Sequence, residues 1–158
     1  ALREHTLIRA LRITILVILI LVGAASAAPF AYVTSIGVDT GTVFVIDTAT
    51  DSLTAVVPVE GWAGEAAINP AGTKVYVVNA GSNNVSVIDA ATNSVAATVN
   101  VGNMPHGVAV TSDGTKAYVS NSDYNGTVSV IDTETNTVTA TVPVGNYPVA
   151  IGLFIVPL

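Results

Sequence analysis

From Phe30 onward the chain alternates apolar and polar residues in short runs, and clusters of Gly, Asn and Asp break the runs. The middle stretch shows the grammar. "KVYVVN" (Lys74 to Asn79) runs into "AGSNN", and "VSVID" (Val85 to Asp89) into "AATN". "SVAATVNV" then runs into "GNMP", and "HGVAVT" into "SDGT". Val, Ile, Thr and Tyr in period-two runs between such turns predict strands. Gly114 in "SDGT" can take a positive φ without strain, which predicts a hairpin turn there. The connections are short, so the strands should be antiparallel, four to a unit. No window after the first residues sustains a 3.6 period, so helix should be nearly absent.

The unit repeats. Asp47, Asp89 and Asp132 close three "VID" phrases, and Tyr32, Tyr76 and Tyr118 open three "YV" phrases. "AGTK" (Ala71 to Lys74) returns as "DGTK" (Asp113 to Lys116), 42 residues later. Four short strands at this period predict propeller blades. A lone sheet of this kind is apolar on both faces and can hide neither. Stacking face to face around a ring buries both. In "VSVID" the alternation puts Val85, Val87 and Asp89 on one side and Ser86 and Ile88 on the other. The expected fold is therefore all-β: three blades of four antiparallel strands, a partial propeller. The repeat cores run at about 30–74, 75–116 and 117–158 within a domain spanning 28–158.

The beginning of the chain is different. Arg3, Arg9 and Arg12 lead into "ITILVILILV" and then the small-residue run "GAASAAP". This reads as a hydrophobic signal helix over residues 1–27, cleaved after the A-x-A pattern Ala25-Ser26-Ala27. The alternative is an uncleaved anchor, although the apolar core is short for a span needing roughly 20 residues. Export follows, to the cell surface, the extracellular medium or the periplasm. The chain has no cysteine, so neither disulfides nor a lipid-modified cysteine can hold it. Beyond Arg12 the cations are Lys74 and Lys116, set against ten carboxylates. That balance repels phosphate backbones and argues against a nucleic-acid partner. A membrane would be met only through the N-terminal segment.

The stretch "YVVN…NNVSVIDAATNSVAATVNVGNMPHGVAVTSDGTKAYVSN" resembles the YVTN-type β-propeller repeat of bacterial and archaeal surface and periplasmic proteins. The resemblance extends over about Phe30 to Leu158. It implies a propeller, often seven-bladed, in secreted or surface-layer proteins; some related propellers bind redox cofactors or act as lactonases. The chain departs from that pattern in number, since three units fall short of the four to eight blades a ring needs. The first residue is Ala rather than Met, which makes a longer reading frame one account. The favoured expectation is a short gene product, its last unit ending in "VAIGLFIVPL", that pairs with a second copy to close a six-bladed ring. Another protein could fill the same role.

Chemistry is best sought where the units differ. The connection into the innermost strand reads "EGWAGEA", "GNMPHGV" and "GNYPVAI" in turn, which makes Trp62, Met104 and Tyr147 equivalent. With Glu65 and His106 they form the one candidate ligand or partner site, at the mouth of the central channel. The competing reading has the three large residues plugging the channel end. His106 is the sole histidine after the signal, and zinc needs about four ligands, so no metal site is expected. Haem attachment through C-x-x-C-H is excluded, no nucleophile elbow or phosphate loop occurs, and no cofactor is expected. Asp47, Asp89 and Asp132 are read as turn residues that accept backbone N–H bonds. Asn84-Val85-Ser86 and Asn125-Gly126-Thr127 fit the N-x-[ST] sequon, which makes Asn84 and Asn125 candidate glycosylation sites.

These observations lead first to a non-catalytic exported propeller, a structural or protein-interaction module rather than an enzyme. The alternative is a periplasmic propeller binding a small ligand or cofactor at the channel mouth. A lactonase- or dehydrogenase-like enzyme ranks third.

Overall fold

The computed structural model describes residues 29–37 and 39–150. The expected signal segment, 1–27, lies outside the described residues, as do residues 151–158. The described chain is all-β and makes three antiparallel sheets. The first holds β1 (Phe30–Ser35), β2 (Thr40–Asp47) and β3 (Ser52–Glu60). The second holds β4 (Ala63–Ile68), β5 (Lys74–Asn79), β6 (Asn84–Asp89) and β7 (Ser94–Asn100). The third holds β8 (Pro105–Val110), β9 (Lys116–Asn121), β10 (Gly126–Asp132) and β11 (Thr137–Gly145).

Each sheet is a meander in chain order, as the short connections require. Four strands per unit is met in the second and third sheets, while the first shows three among the described residues. Hydrogen bonding also sets the phase. The sheet carrying "KVYVVN" begins one strand earlier, at Ala63, and the sheet carrying "KAYVSN" begins at Pro105.

The alternation read from "VSVID" decides the packing. Val85 and Val87 enter a core with Tyr76, Val78 and Val99, against Val108, Ala117, Val119 and Ile131 of the third sheet. Ile88, from the opposite face of β6, joins Val75 and Val77 against Val43, Val45 and Val57 of the first sheet. The middle sheet is thus apolar on both faces and covered on both. Burying a valine of this kind contributes about 2 kcal/mol.

The turns follow the repeat as well. Asp47 Oδ1 accepts the N–H groups of Ala49 (2.8 Å) and Thr50 (3.2 Å), and Asp89 and Asp132 do the same in their own units. Asp51, Asn93 and Asn136 then take the left-handed conformation (φ 52°, 51° and 54°), which Asp and Asn tolerate better than most residues. In the β8–β9 hairpin Gly114 has φ 73°, as "SDGT" predicts. Asp113 Oδ1 there accepts from Thr111 Oγ1 (2.5 Å), Thr115 N (3.0 Å) and Thr115 Oγ1 (2.9 Å).

These bonds, the Thr111 hydroxyl foremost, lower the Asp113 carboxyl to about 2. A depressed folded-state pKa gives stability that is present above the unfolded carboxylate value of about 4 and is lost as pH falls through 2. Urea midpoints followed from about pH 5 to pH 2 should therefore fall less steeply for Asp113→Asn than for the parent chain. Parallel profiles would show that the turn bonds do not favour the ionised form.

Candidate functional site

The connections between sheets carry the candidate residues, and their backbone is unusual. Trp62 has φ 57°, Met104 φ 50° and Tyr147 φ 48°. Large side chains pay for the left-handed conformation, at about 1–2 kcal/mol per residue. Something must hold them there.

Hydrogen bonds from hairpin loops of adjacent sheets do so. Trp62 N–H donates to Gly37 O of the first sheet (2.8 Å), and Trp62 O accepts from Ala80 N–H of the second (3.0 Å). Met104 N–H donates to Asn83 Oδ1 (2.9 Å), while its carbonyl accepts from Ser122 N–H (2.9 Å). Tyr147 N–H donates to Asp123 O (2.7 Å). Both halves of the clamp are present at Trp62 and Met104 and the first half at Tyr147, and all three large side chains are left partly exposed. Trp62 is 42 % exposed, Met104 44 % and Tyr147 61 %.

Below the clamp the inner strands come together. β4 packs against β8, and glycines permit the approach. A Cβ on Gly107 would lie 2.8 Å from Glu65 Oε2, and one on Gly64 would lie 3.1 Å from Val78 Cγ2. The Glu65 carboxylate therefore rests against the Gly107 backbone, one residue from His106. Glu65 is half-buried and His106 exposed.

The result is a cleft of about 410 Å³ walled by Trp62 and Ile36, with Ala63, Gly64 and Pro105 beneath and Glu65 and His106 on one side. A second cleft of about 500 Å³ lies across the indole, between Trp62 and Met104, with Asn83, Asn103 and Asp123 at its rim. Asn103 Nδ2 donates to Asp123 Oδ2 (3.0 Å), and this bond, with the Tyr124 N–H, lowers the Asp123 carboxyl. The indole rests on Gly81, where an added Cβ would meet its Cγ at 3.2 Å.

Of the five expected residues, the fold brings Trp62, Glu65 and His106 into one cleft and puts Met104 in the next, across the shared indole. Tyr147 stands apart, edge-to-face on Tyr124 with ring centroids 6.2 Å apart. The first cleft combines an aromatic wall, a carboxylate and an imidazole. It can bind an apolar ring, pair with a positive charge, and give or take a proton. No cluster of three or more metal-binding side chains occurs among the described residues.

The two sequon asparagines are not alike. Asn84 is 5 % exposed, its Oδ1 accepts from Asn79 Nδ2 (2.8 Å), and its own Nδ2 donates to Glu60 Oε2 (3.1 Å). In the folded chain this asparagine is therefore buried and bonded on both sides of its amide. Asn125 lies in the β9–β10 turn and is exposed.

Two features escaped the sequence. One is the left-handed backbone at Trp62, Met104 and Tyr147. The other is a pair of equivalent buried asparagines closing the "YVVN" and "YVSN" phrases. Asn79 Nδ2 donates to Asn84 Oδ1 and Ser86 Oγ, both at 2.8 Å. Asn121 Nδ2 donates to Thr127 Oγ1 and Ser129 Oγ, both at 2.9 Å. Their recurrence 42 residues apart was the available signal.

No protein-family model matches the chain, and no curated protein does. Solved structures do match. Kuenenia stuttgartiensis hydrazine synthase is 31 % identical with a TM-score of 0.65, over 67 % of this chain and 30 % of that one. The dihydro-heme d1 dehydrogenase NirN, in complex with DHE, is 24 % identical with a TM-score of 0.62, over 75 % and 25 %. Apo AztD from Citrobacter koseri is 16 % identical with a TM-score of 0.59, over 75 % and 35 %. All three are β-propeller-type proteins, and the likeness places this chain in a propeller-like fold. The chain spans about a third or less of the length of each. The expectation of a non-catalytic structural or protein-interaction module is corrected here: the matching propellers include a synthase and a dehydrogenase. So is the expectation that the chain is no enzyme: the 31 % identical propeller belongs to a synthase.

Proposed function

We propose that the chain supplies blades of an exported, ligand-binding or enzymatic propeller of the YVTN type. It takes a small ligand or cofactor in the Trp62–Glu65–His106 cleft at the channel mouth, and the periplasm is the compartment that fits this reading. One observation carries the proposal: two adjacent inner strands and a strained connection converge an indole, a carboxylate and an imidazole on a single apolar cleft.

The chemistry narrows the ligand class. An indole face and a carboxylate favour a positively charged or strongly polarised aromatic group, since cation–π attraction and ion pairing act on the same charge. The acidic balance of the exported part favours cations further. His106, which lines the same cleft, is the group able to move a proton to or from the bound molecule. It also suits a role as a single donor to a bound cofactor.

Trp62 is the sole tryptophan, so its emission reports on the indole that walls this cleft. Titration with phenyltrimethylammonium should shift or quench that emission roughly tenfold more effectively than the neutral isostere tert-butylbenzene. Glu65→Gln should narrow the gap between the two. Emission indifferent to both probes would remove the cleft as a binding site.

A further inference from the structure

The cleft between Trp62 and Met104 has a rim that departs from the repeat. The clamp at Trp62 is built by backbone alone: its flanking positions are Gly61 and Gly81, and Gly81 N–H donates to Gly61 O (3.2 Å). At the Met104 clamp, 42 residues on, the same two positions hold Asn103 and Asp123. There the contact passes between side chains, Asn103 Nδ2 donating to Asp123 Oδ2 (3.0 Å). Glycine serves at both positions one junction earlier, so the clamp itself calls for neither an amide nor a carboxylate.

Three polar side chains line this cleft, and each is oriented by a bond it already makes. Asn83 Oδ1 accepts from Met104 N–H, which fixes the amide and leaves Nδ2 as a donor. Asn103 Nδ2 donates to the carboxylate, which leaves Oδ1 as an acceptor. Asp123 Oδ1 accepts from Tyr124 N–H and Oδ2 from Asn103, and each oxygen keeps a second lone pair. Among the described residues, Asn83 Nδ2 and Asn103 Oδ1 have no hydrogen-bond partner. The rest of the lining is Trp62, Met104, Ala80 and Gly81.

This lining narrows the ligand by its chemistry. Asp123 opposes an anion, and the amide donor of Asn83 opposes a bare cation. A hydroxyl pairs with donor, acceptor and carboxylate alike, because it both gives and takes a hydrogen bond. A ring that carries hydroxyls at its rim and C–H groups on its face can also cover the indole and the methionine. The volume, about 500 Å³, falls in the range of small-molecule sites.

We propose that this second cleft binds a neutral saccharide, a pyranose ring lying along the Trp62 indole with its hydroxyls on Asn83, Asn103 and Asp123. The site shares only Trp62 and Ala80 with the Glu65–His106 cleft, and it does not rest on the function proposed for that cleft.

Saturation-transfer NMR on the full chain tests this, with methyl β-D-glucopyranoside, methyl β-D-galactopyranoside and methyl α-D-mannopyranoside as probes at millimolar concentration. At least one glycoside should receive saturation, strongest at the ring protons of one face. D-Glucitol carries hydroxyls without a rigid apolar face and should receive several-fold less. Asp123→Asn keeps the shape of the side chain but removes the charged acceptor, and should weaken glycoside binding about tenfold. Asn103→Ala should weaken it several-fold. Both variants should keep the far-ultraviolet dichroism of the parent chain and its response to phenyltrimethylammonium, whereas Glu65→Gln should spare the glycoside. Saturation of none of the three glycosides overturns the proposal. So does a response that D-glucitol equals, or one that both rim variants leave unchanged. Loss of the phenyltrimethylammonium response alone bears on the Glu65–His106 cleft and not on this one.

Discussion

Trp62→Gly should abolish ligand binding in the cleft and leave the protein more stable than Trp62→Ala. Both variants remove the indole wall, so calorimetric titration with phenyltrimethylammonium should show no measurable heat for either. Their stabilities should part because the backbone at position 62 is left-handed, with φ 57°. Alanine keeps the steric penalty of that conformation, and glycine relieves it, by about 1 kcal/mol. The indole is 42 % exposed and packs on Gly81, so its loss costs both variants alike. Against the parent chain the glycine variant should sit within about 2 kcal/mol, since relieved strain offsets part of the lost burial. Thermal melts of the three proteins decide the order. An alanine variant as stable as the glycine variant would mean that the backbone there is not strained. The same order should hold at Met104 and Tyr147, where φ is 50° and 48°. The strain is common to the three connections, so what sets Trp62 apart is the cleft it shares with Glu65 and His106.

Much of this fold can be read from the letters alone, because the repeat states each rule three times. The "VID" alternation assigns Val85 and Ile88 to opposite cores, and the structure puts them there. Asp47, Asp89 and Asp132 act as turn acceptors, as expected. The phase of the sheets was harder to read. The "SDGT" hairpin signal already pairs "HGVAVT" with "KAYVSN", but grouping the strands by repeat phrase put "HGVAVT" at the end of the preceding unit rather than at the start of the third sheet. At the site, equivalence among the units found Trp62, Met104 and Tyr147, and composition added Glu65 and His106. Their grouping was legible only in part. The crossing of β4 and β8 joins Glu65 to His106, and Tyr147 is drawn aside by Tyr124. The left-handed backbone was hidden because Trp, Met and Tyr occupy positions where that conformation calls for Gly or Asn. The functional reading failed for a different reason. A propeller's scaffold residues dominate its sequence, so a missing catalytic motif in these repeats says little about activity.

Asn79→Leu is expected to be the most damaging single change in the second sheet outside its valine core. The side chain is fully buried, and its amide donates to both Asn84 Oδ1 and Ser86 Oγ. Leucine fills a similar volume, so no cavity is left. The cost comes from two buried acceptors deprived of their donor, at roughly 1–3 kcal/mol for each. Two effects moderate the sum. The Ser86 hydroxyl can rotate, and Asn79 Oδ1, which finds no donor among the described residues, disappears with the amide. A net loss of about 3 kcal/mol follows, a large share of the 5–15 kcal/mol typical of a folded domain. Asn84 links this network to Glu60 at the end of the first sheet, so the damage should reach the junction between the sheets as well as β5 and β6. Hydrogen exchange in β3 should therefore rise with that in β6. Adding Ser86→Ala removes one of the orphaned acceptors. The double variant should then lose less than the two single losses combined, by about 1 kcal/mol. Urea unfolding of the four proteins measures the coupling. Strictly additive losses would mean that Asn79 and Ser86 do not interact. A loss below 1 kcal/mol for Asn79→Leu alone would make the asparagine that closes "YVVN" an incidental polar residue, and the repeat's hold on it would need another cause.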